Sequence, residues 1–244
     1  MKTVLIDIYK IHIHRLGFLR VLIGATAMYM VIPSIIIIYA FSATLFRFLA
    51  HYLFGARVEL WKNHIIIDRN RIKHLCLIDR INCTYCGFAN GVTNLMIYQI
   101  DEISRNSKAL NWWKYLIFLP FILVHILVIV ILEITCQLAY NIIISRALKY
   151  KRISIKEASR NMSNIKYAPH IPYLLKIFLG IYRNQWYRMD NNLQEIESSW
   201  CPIRHYERQN KVKYPDHHKR FYTPGKLYYM EKTLEKEGTV LNRK

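Results

Sequence analysis

Two long uncharged stretches dominate the hydropathy pattern of the chain. The first covers residues 21–46, where 26 consecutive residues carry no charge, and a membrane-spanning helix needs about 20 residues. We therefore predict an N-terminal transmembrane helix. Pro33 lies near its middle, and a single kinked span is favoured because proline can bend a membrane helix without breaking it. A re-entrant hairpin with its tip at Pro33 is the alternative, since apolar residues continue to Phe54.

The second stretch covers residues 115–132, with 18 residues free of charge, and apolar character resumes after Glu133 as far as Ile144. Trp112-Trp113-Lys114 precedes it, and an aromatic pair beside a lysine is typical of a membrane interface. His125 and Glu133 are eight residues apart, two turns along one helical face. They are candidates for pairing with polar groups of another segment, whereas Glu133 alone is compatible with a hairpin tip or a membrane interface.

The pattern between and after these stretches is mixed. Residues 58–67 and 72–78 predict two strands around a polar turn, and residues 92–104 carry a helical stripe. After the second stretch, residues 154–157 form a capping box that begins a helix. Apolar positions in 171–187 predict a further helix, which lies in the membrane plane or packs into a core.

We divide the chain into five segments: an N-terminal arm and membrane anchor (1–54), a cytoplasmic loop (55–111), a second hydrophobic segment (112–146), a helical segment (147–205) and a basic tail (206–244). Together they predict a mainly α membrane protein. It has an N-terminal transmembrane helix, a second hydrophobic helix or helical hairpin, and a small α+β metal-binding module.

The net charge indicates what the surface binds. Lys and Arg number 35 against 16 acidic residues, which gives a formal net charge of +19. Beside membrane segments, such an excess favours binding to anionic lipid head groups. Nucleic acid also binds basic surfaces, but it is disfavoured here because the sequence contains no DNA- or RNA-binding motif.

Four residues in two short motifs are candidate metal ligands: Cys83, Cys86, Cys201 and His205. Three thiols and one imidazole match the ligand set of a closed tetrahedral site, so zinc is the favoured metal. Iron or an iron–sulfur cluster is the alternative, because thiolates bind those too. The small residues of 87–91 predict a flexible turn directly after the first pair.

The remaining cysteines, Cys76 and Cys136, lie among apolar residues and are expected to pack. Five cysteines in total, an odd number, argue against a secreted disulfide scaffold. A redox dithiol is the rival interpretation of the Cys-x-x-Cys, but the thioredoxin-like βαβ context that it requires is missing from the sequence.

The two ligand pairs constrain the topology. If both hydrophobic stretches crossed the membrane once, residues 47–114 and 146–244 would lie on opposite sides. Every flank is basic, however, and the positive-inside rule assigns basic flanks to the cytoplasm. We therefore predict that the second stretch enters and leaves as a helical hairpin with Glu133 and Gln137 near its turn, so that the soluble parts are cytoplasmic.

Two alternatives involve no metal. His74 and Asp79 have the His-x-x-x-x-Asp spacing of glycerolipid acyltransferases, in which the histidine is the base and the aspartate orients it. This spacing suggests a membrane-surface lipid-modifying enzyme, although no Gly-rich phosphate-binding motif accompanies it. The other alternative is a metal-free membrane interaction protein that binds a protein partner or a second copy of itself.

Three segments resemble a family of uncharacterised bacterial membrane proteins: Asn82-Cys83-Thr84-Tyr85-Cys86-Gly87-Phe88-Ala89-Asn90-Gly91, Asp101-Glu102-Ile103 and Trp200-Cys201-Pro202-Ile203-Arg204-His205. That family carries an Asn-Cys-x-Tyr-Cys-x-x-Ala-Asn-Gly segment and a Trp-Cys-Pro-Ile-Lys-His segment close together after one hydrophobic helix. The resemblance implies one shared site and a bacterial inner-membrane location, and it implies no activity. In this chain more than a hundred residues separate the two segments, so an intact site requires an insertion that returns to its starting side.

Overall fold

The structure, a computed structural model, describes residues 8–67, 69–72, 75–109, 111–141, 165–200 and Lys232. The described part is mostly helical and contains no strand, which confirms the mainly α prediction. Its helices are α1 (Ile8–Leu16), α2 (Phe18–Ile38), α3 (Arg47–Phe54), α4 (Leu77–Asn106), α5 (Trp112–Asn141) and α6 (Tyr173–Trp200), with a π-helical segment at Tyr39–Phe46 and 3-10 turns at Trp61–Asn63 and Arg69–Arg71.

The first hydrophobic stretch is one helical run from Phe18 to Phe54. Pro33 lies inside α2, so the re-entrant hairpin is wrong. Positive-φ glycines bound the run at both ends: Gly17 (φ 85) separates it from α1, and Gly55 (φ 58) is the left-handed C-cap of α3, a conformation that glycine adopts without steric cost. Phe18–Ile37 is long and apolar enough to be a candidate membrane span.

Helix α4 includes residues that we predicted to form a turn. It begins at Leu77, with Asp79 in its first turn, where a carboxylate interacts favourably with the helix dipole. It then continues through the Cys-x-x-Cys and residues 87–91, so the predicted flexible turn is wrong. A glycine in a helix interior costs about 1 kcal/mol relative to alanine, and the packing of Gly87 and Gly91 shows what offsets that cost.

Gly87 and Gly91 are four residues apart and share one face of α4. A Cβ atom on Gly87 would lie 2.5 Å from the carbonyl oxygen of Ile66, and one on Gly91 would lie 2.6 Å from the Cα of Ile65. These two glycines therefore allow the preceding backbone to lie directly on the helix, and close approach rather than bending is their role.

The connection between α3 and α4 is irregular where we predicted strands at 58–67 and 72–78. Its backbone bonds to α4 side chains rather than to another strand. The Gln99 amide oxygen accepts from the Glu59 N–H at 2.8 Å, and the Gln99 amide nitrogen donates to the Arg57 carbonyl at 2.9 Å. One buried glutamine therefore satisfies a backbone donor and a backbone acceptor of this connection.

Helices α4 and α6 pack as an antiparallel pair. The Thr93 hydroxyl donates to Asp190 at 2.6 Å, and Arg183 forms a two-point ion pair with Asp101 at 2.5 and 3.0 Å. Residue numbers therefore rise along α4 as they fall along α6. The core lies between these helices and α2, and its buried apolar members include Ile35, Phe46, Val92, Leu95, Met96, Ile100, Leu179, Tyr182, Trp186 and Met189.

Helix α6 is thus a core-packing helix, and the alternative of an isolated helix in the membrane plane is wrong. Leu175, Leu179, Tyr182 and Trp186 all point into the bundle. Leu174, another apolar residue of 171–187, is exposed instead.

The second hydrophobic segment is a single helix, α5, through Asn141. A hairpin turn near Glu133 is therefore wrong. Even so, the chain returns to the end from which α5 departs, because the Ala168 N–H donates to the Ser104 carbonyl at 2.7 Å. Residues 142–164, which connect the two, lie outside the described residues.

Candidate metal centre

The first ligand pair is held on a rigid element. Cys83 and Cys86 are reduced thiols on α4, and their three-residue spacing directs both side chains to one side of the helix. Cys83 is buried and Cys86 is partly buried. The buried Cys83 is therefore turned into the bundle, and Cys86 lies at its edge.

The second ligand pair, Cys201 and His205, lies outside the described residues. Helix α6 ends at Trp200, the residue directly before Cys201. No cluster of three or more His, Cys, Asp or Glu side chains suited to a metal occurs within the described ranges. The Cys83–Cys86 pair therefore supplies at most half of a four-ligand site from this part of the chain.

A ring of hydrogen bonds lies one residue before Cys83. The Tyr9 and Tyr29 hydroxyls are 2.8 Å apart, Tyr29 donates to the Asn82 amide oxygen at 2.8 Å, and the Asn82 amide nitrogen donates to Tyr9 at 3.2 Å. Burial, together with the hydrogen bond that Tyr9 donates to Tyr29, raises the pKa of Tyr9. The ring joins α1, α2 and α4, so it fixes the helix that carries the thiols.

Asp79 has a structural role one turn earlier. Its Oδ2 accepts from the Ile8 N–H at 2.8 Å and from the Cys76 thiol at 3.0 Å, and the residue is fully buried. The carboxylate therefore caps the first N–H of α1 while it occupies the first turn of α4, and both helix N-termini favour its negative charge. Cys76, expected only to pack, donates to it. His74, the other member of the His-x-x-x-x-Asp spacing, lies outside the described residues.

Asp101 is held by Arg183, which also lies over the ring of Tyr187 at 4.7 Å. Burial alone would lower the pKa of Arg183, but the hydrogen bond and charge of Asp101 outweigh it, so that the pKa is raised. Burial raises the pKa of Tyr187. This pair joins α4 to α6 at the end of the bundle away from the thiols.

A polar cluster between the α3–α4 connection and α4 is not indicated by the sequence pattern. The His64 Nδ1 lies 2.9 Å from the Asn94 amide oxygen, and its Nε2 lies 3.4 Å from a Glu59 carboxylate oxygen. The ring also packs at 5.0 Å from that of Tyr98. These residues hold the α3–α4 connection on the helix, and no regular spacing in the sequence links them because the contacts are long-range.

His125 and Glu133 share the inner face of α5, as their spacing predicts. His125 packs against the rings of Phe46 and Tyr182. Arg188 donates to Glu133 at 3.4 Å, and Gln185, with its amide oriented by the hydrogen-bond network, donates to the same carboxylate. Glu133 is therefore paired within the bundle by α6.

No family model, curated protein or solved structure matches this chain.

Proposed function

We propose that this protein is a membrane-anchored helical bundle that holds a structural metal ion, with Cys83, Cys86, Cys201 and His205 as its ligands. The metal would join the beginning of α4 to the segment that follows α6. Zinc is the favoured ion because mixed cysteine–histidine sites of this composition are usually structural zinc sites.

The observation that supports this proposal is the register of the α4–α6 pair. Cys83 comes ten residues before Thr93, and Trp200 comes ten residues after Asp190. Ten residues of helix extend about 15 Å. If the antiparallel register at Thr93 and Asp190 continues over this length, Trp200 lies beside Cys83. Cys201 follows directly, and His205 is four residues further along.

Two further features of α4 are compatible with a metal site in a bundle. Ligand pairs separated by three residues on one helix serve as metal ligands in other helical bundles. In addition, the Tyr9–Tyr29–Asn82 ring fixes the rotation of α4 at its start, which keeps the thiols directed inward. A helical ligand pair thereby replaces the turn that we predicted at this motif.

Metal analysis of the purified full chain tests the proposal. We expect about one equivalent of metal per chain, and its loss in both Cys83→Ser and Cys201→Ser. Cys136→Ser, on apolar α5, is the matched control and should keep the metal. Full metal content in either Cys83→Ser or Cys201→Ser would overturn the shared site, and no metal in the unmodified chain would favour the metal-free interaction protein.

Colour separates the candidate metals. A structural zinc site gives a colourless protein because Zn²⁺ is a d¹⁰ ion. An iron–thiolate site or an iron–sulfur cluster would give visible absorption that disappears in Cys83→Ser. A coloured protein would mean that the same ligands bind iron instead of zinc.

Membrane attachment is the second part of the proposal. The candidate span Phe18–Ile37 and the net charge of +19 together favour an anionic membrane, and we propose the bacterial inner membrane with the soluble parts cytoplasmic. Replacement of Ala27, buried at the centre of the span, does not test insertion cleanly. Met30→Arg, at an exposed position away from the ends of the span, should lower the fraction of α2 that inserts into the membrane, and Met30→Ala should not.

A further inference from the structure

We infer that α5 is a second membrane helix and that its outer face contacts lipid acyl chains. This inference rests on the membrane attachment proposed through α2. It is compatible with the metal site because the hydrogen bond from the Ala168 N–H to the Ser104 carbonyl brings the chain after α5 back to the end of α4. It is carried by which side chains of α5 point outward and which point inward.

The large exposed side chains that the structure describes on α5 between Leu116 and Leu138 are apolar. These side chains each show 47% to 60% of their surface, and none carries a charge: Leu116, Ile117, Leu123, Val124, Leu127, Ile131, Ile134 and Leu138. Their spacing of three, four and seven residues defines one continuous helical stripe.

The ionisable residues of the same helix point the other way. His125 and Glu133 show only 1% and 8% of their surface. The carboxylate of Glu133 receives hydrogen bonds from Arg188 and Gln185 of α6. A helix on the surface of a water-soluble domain has its apolar stripe inside and its charges outside, and α5 shows the reverse, as expected where lipid replaces water.

The dimensions of the stripe match a bilayer. Leu116 and Leu138 are 22 residues apart, which corresponds to about 33 Å of helix, close to the ~30 Å of a hydrocarbon core. Trp113, with Lys114 at 5.7 Å from its ring, lies just outside one end, where aromatic and basic side chains meet lipid head groups.

The neighbouring helix also has exposed apolar side chains. Helix α2 packs against α5, and its large exposed apolar side chains include Leu22, Ile23, Met30, Ile36 and Ile37. Large apolar side chains exposed on two packed helices are not typical of a soluble monomer. A lipid bilayer is the occupant that fits an apolar surface of this length on a protein with a basic net charge.

Photolabelling from within the bilayer tests the inference. The full chain is reconstituted into vesicles of phosphatidylcholine and phosphatidylglycerol that contain a lipid with a diazirine in its acyl chain, and adducts are located by mass spectrometry. We expect adducts on outward residues of both helices, such as Leu127 and Ile36, and none on His125. A diazirine lipid with the group in its head region should label near Trp113 instead.

The outcomes separate the two proposals. Adducts on α2 with none on α5, accompanied by a dimeric mass in the same membranes, would mean that a second copy covers α5, and would overturn this inference while the anchor stands. Absence of adducts on both helices would overturn the membrane attachment as well. Leu127→Arg should lower the inserted fraction of α5, read as acyl-chain adducts on that helix, since an arginine at the centre of a membrane helix opposes insertion about a hundredfold, and Leu127→Ala should leave those adducts unchanged.

Discussion

Gly91→Ala is the substitution for which sequence and structure predict opposite results. Helix propensity alone predicts that alanine stabilises an interior helical position by about 1 kcal/mol. The structure predicts destabilisation, because the new Cβ would lie 2.6 Å from the Cα of Ile65, 2.8 Å from its Cγ1 and 2.9 Å from the carbonyl oxygen of His64. Two of these three atoms belong to backbone, so no side-chain rotation relieves the contact.

The magnitude follows from the two opposing effects. Overpacking a tight contact costs about 1–3 kcal/mol, and the upper half of that range applies where backbone must move. After the gain in helix propensity, the net loss in free energy of unfolding is about 1–2 kcal/mol. For a chain of this size, this loss corresponds to a decrease in Tm of about 2–8 °C.

Thermal unfolding followed by circular dichroism in detergent micelles measures this change. Gly180→Ala is the matched control, since its Cβ would meet only the Tyr167 hydroxyl at 3.2 Å, the tip of a side chain that can shift. We expect Gly180→Ala to be neutral or mildly stabilising. Amide exchange gives a local readout: the His64 and Ile65 N–H groups, both bonded to the Trp61 carbonyl, should exchange faster in Gly91→Ala only.

An increase in Tm for Gly91→Ala equal to that for Gly180→Ala would refute the reasoning. It would mean that the 64–67 backbone does not lie on α4, and the explanation of the interior glycines would fail with it. Unchanged exchange at His64 and Ile65 together with a lower Tm would place the strain elsewhere and would contradict the proposed contact.

Three further substitutions test the contacts that hold the bundle together. Asp79→Ala removes the cap on the Ile8 N–H, so it should lower the free energy of unfolding by about 1–2 kcal/mol and make proteolysis of α1 faster. Asp79→Asn should have a milder effect because it keeps an acceptor, and equal effects of the two substitutions would argue against capping. Tyr9→Phe should lower the free energy of unfolding at pH 8, and the difference from the unmodified chain should narrow above pH ~10. The raised pKa of Tyr9 means that the folded state keeps this proton while the unfolded state loses it, so the contribution present below pH ~10 decreases as pH rises; a constant difference in pH titrations monitored by denaturant unfolding would contradict this sign. Arg183→Lys keeps the charge but loses one of the two hydrogen bonds to Asp101, so the free energy of unfolding should decrease by about 1.5 kcal/mol in the same denaturant assay. An unchanged unfolding midpoint would show that the two-point geometry contributes nothing to stability.

The candidate site was only partly accessible from sequence. The Cys-x-x-Cys is visible as a motif, but its conformation was predicted wrongly because glycine and asparagine favour turns in isolation. In the structure, the backbone of residues 64–67 lies so close to α4 that only glycine fits at positions 87 and 91. The two glycines are therefore part of a helix and not of a turn. Asp79 illustrates the same limit: its spacing from His74 suggests catalysis, whereas its described contacts are a helix cap that forms only when α1 reaches α4.

The sequence alone determined what depends on local pattern. Two uncharged stretches, a helical stripe in 92–104, and the shared face of His125 and Glu133 all follow from hydrophobicity and a 3.6-residue period, which act within a few turns. Tertiary structure decided the rest: that α5 continues straight past Glu133, because Arg188 and Gln185 compensate its charge, and that α6 pairs with α4 through Thr93 and Asp101. Both features depend on contacts between residues far apart in the sequence, so these contacts contribute to the free energy of folding only when the helices pack together.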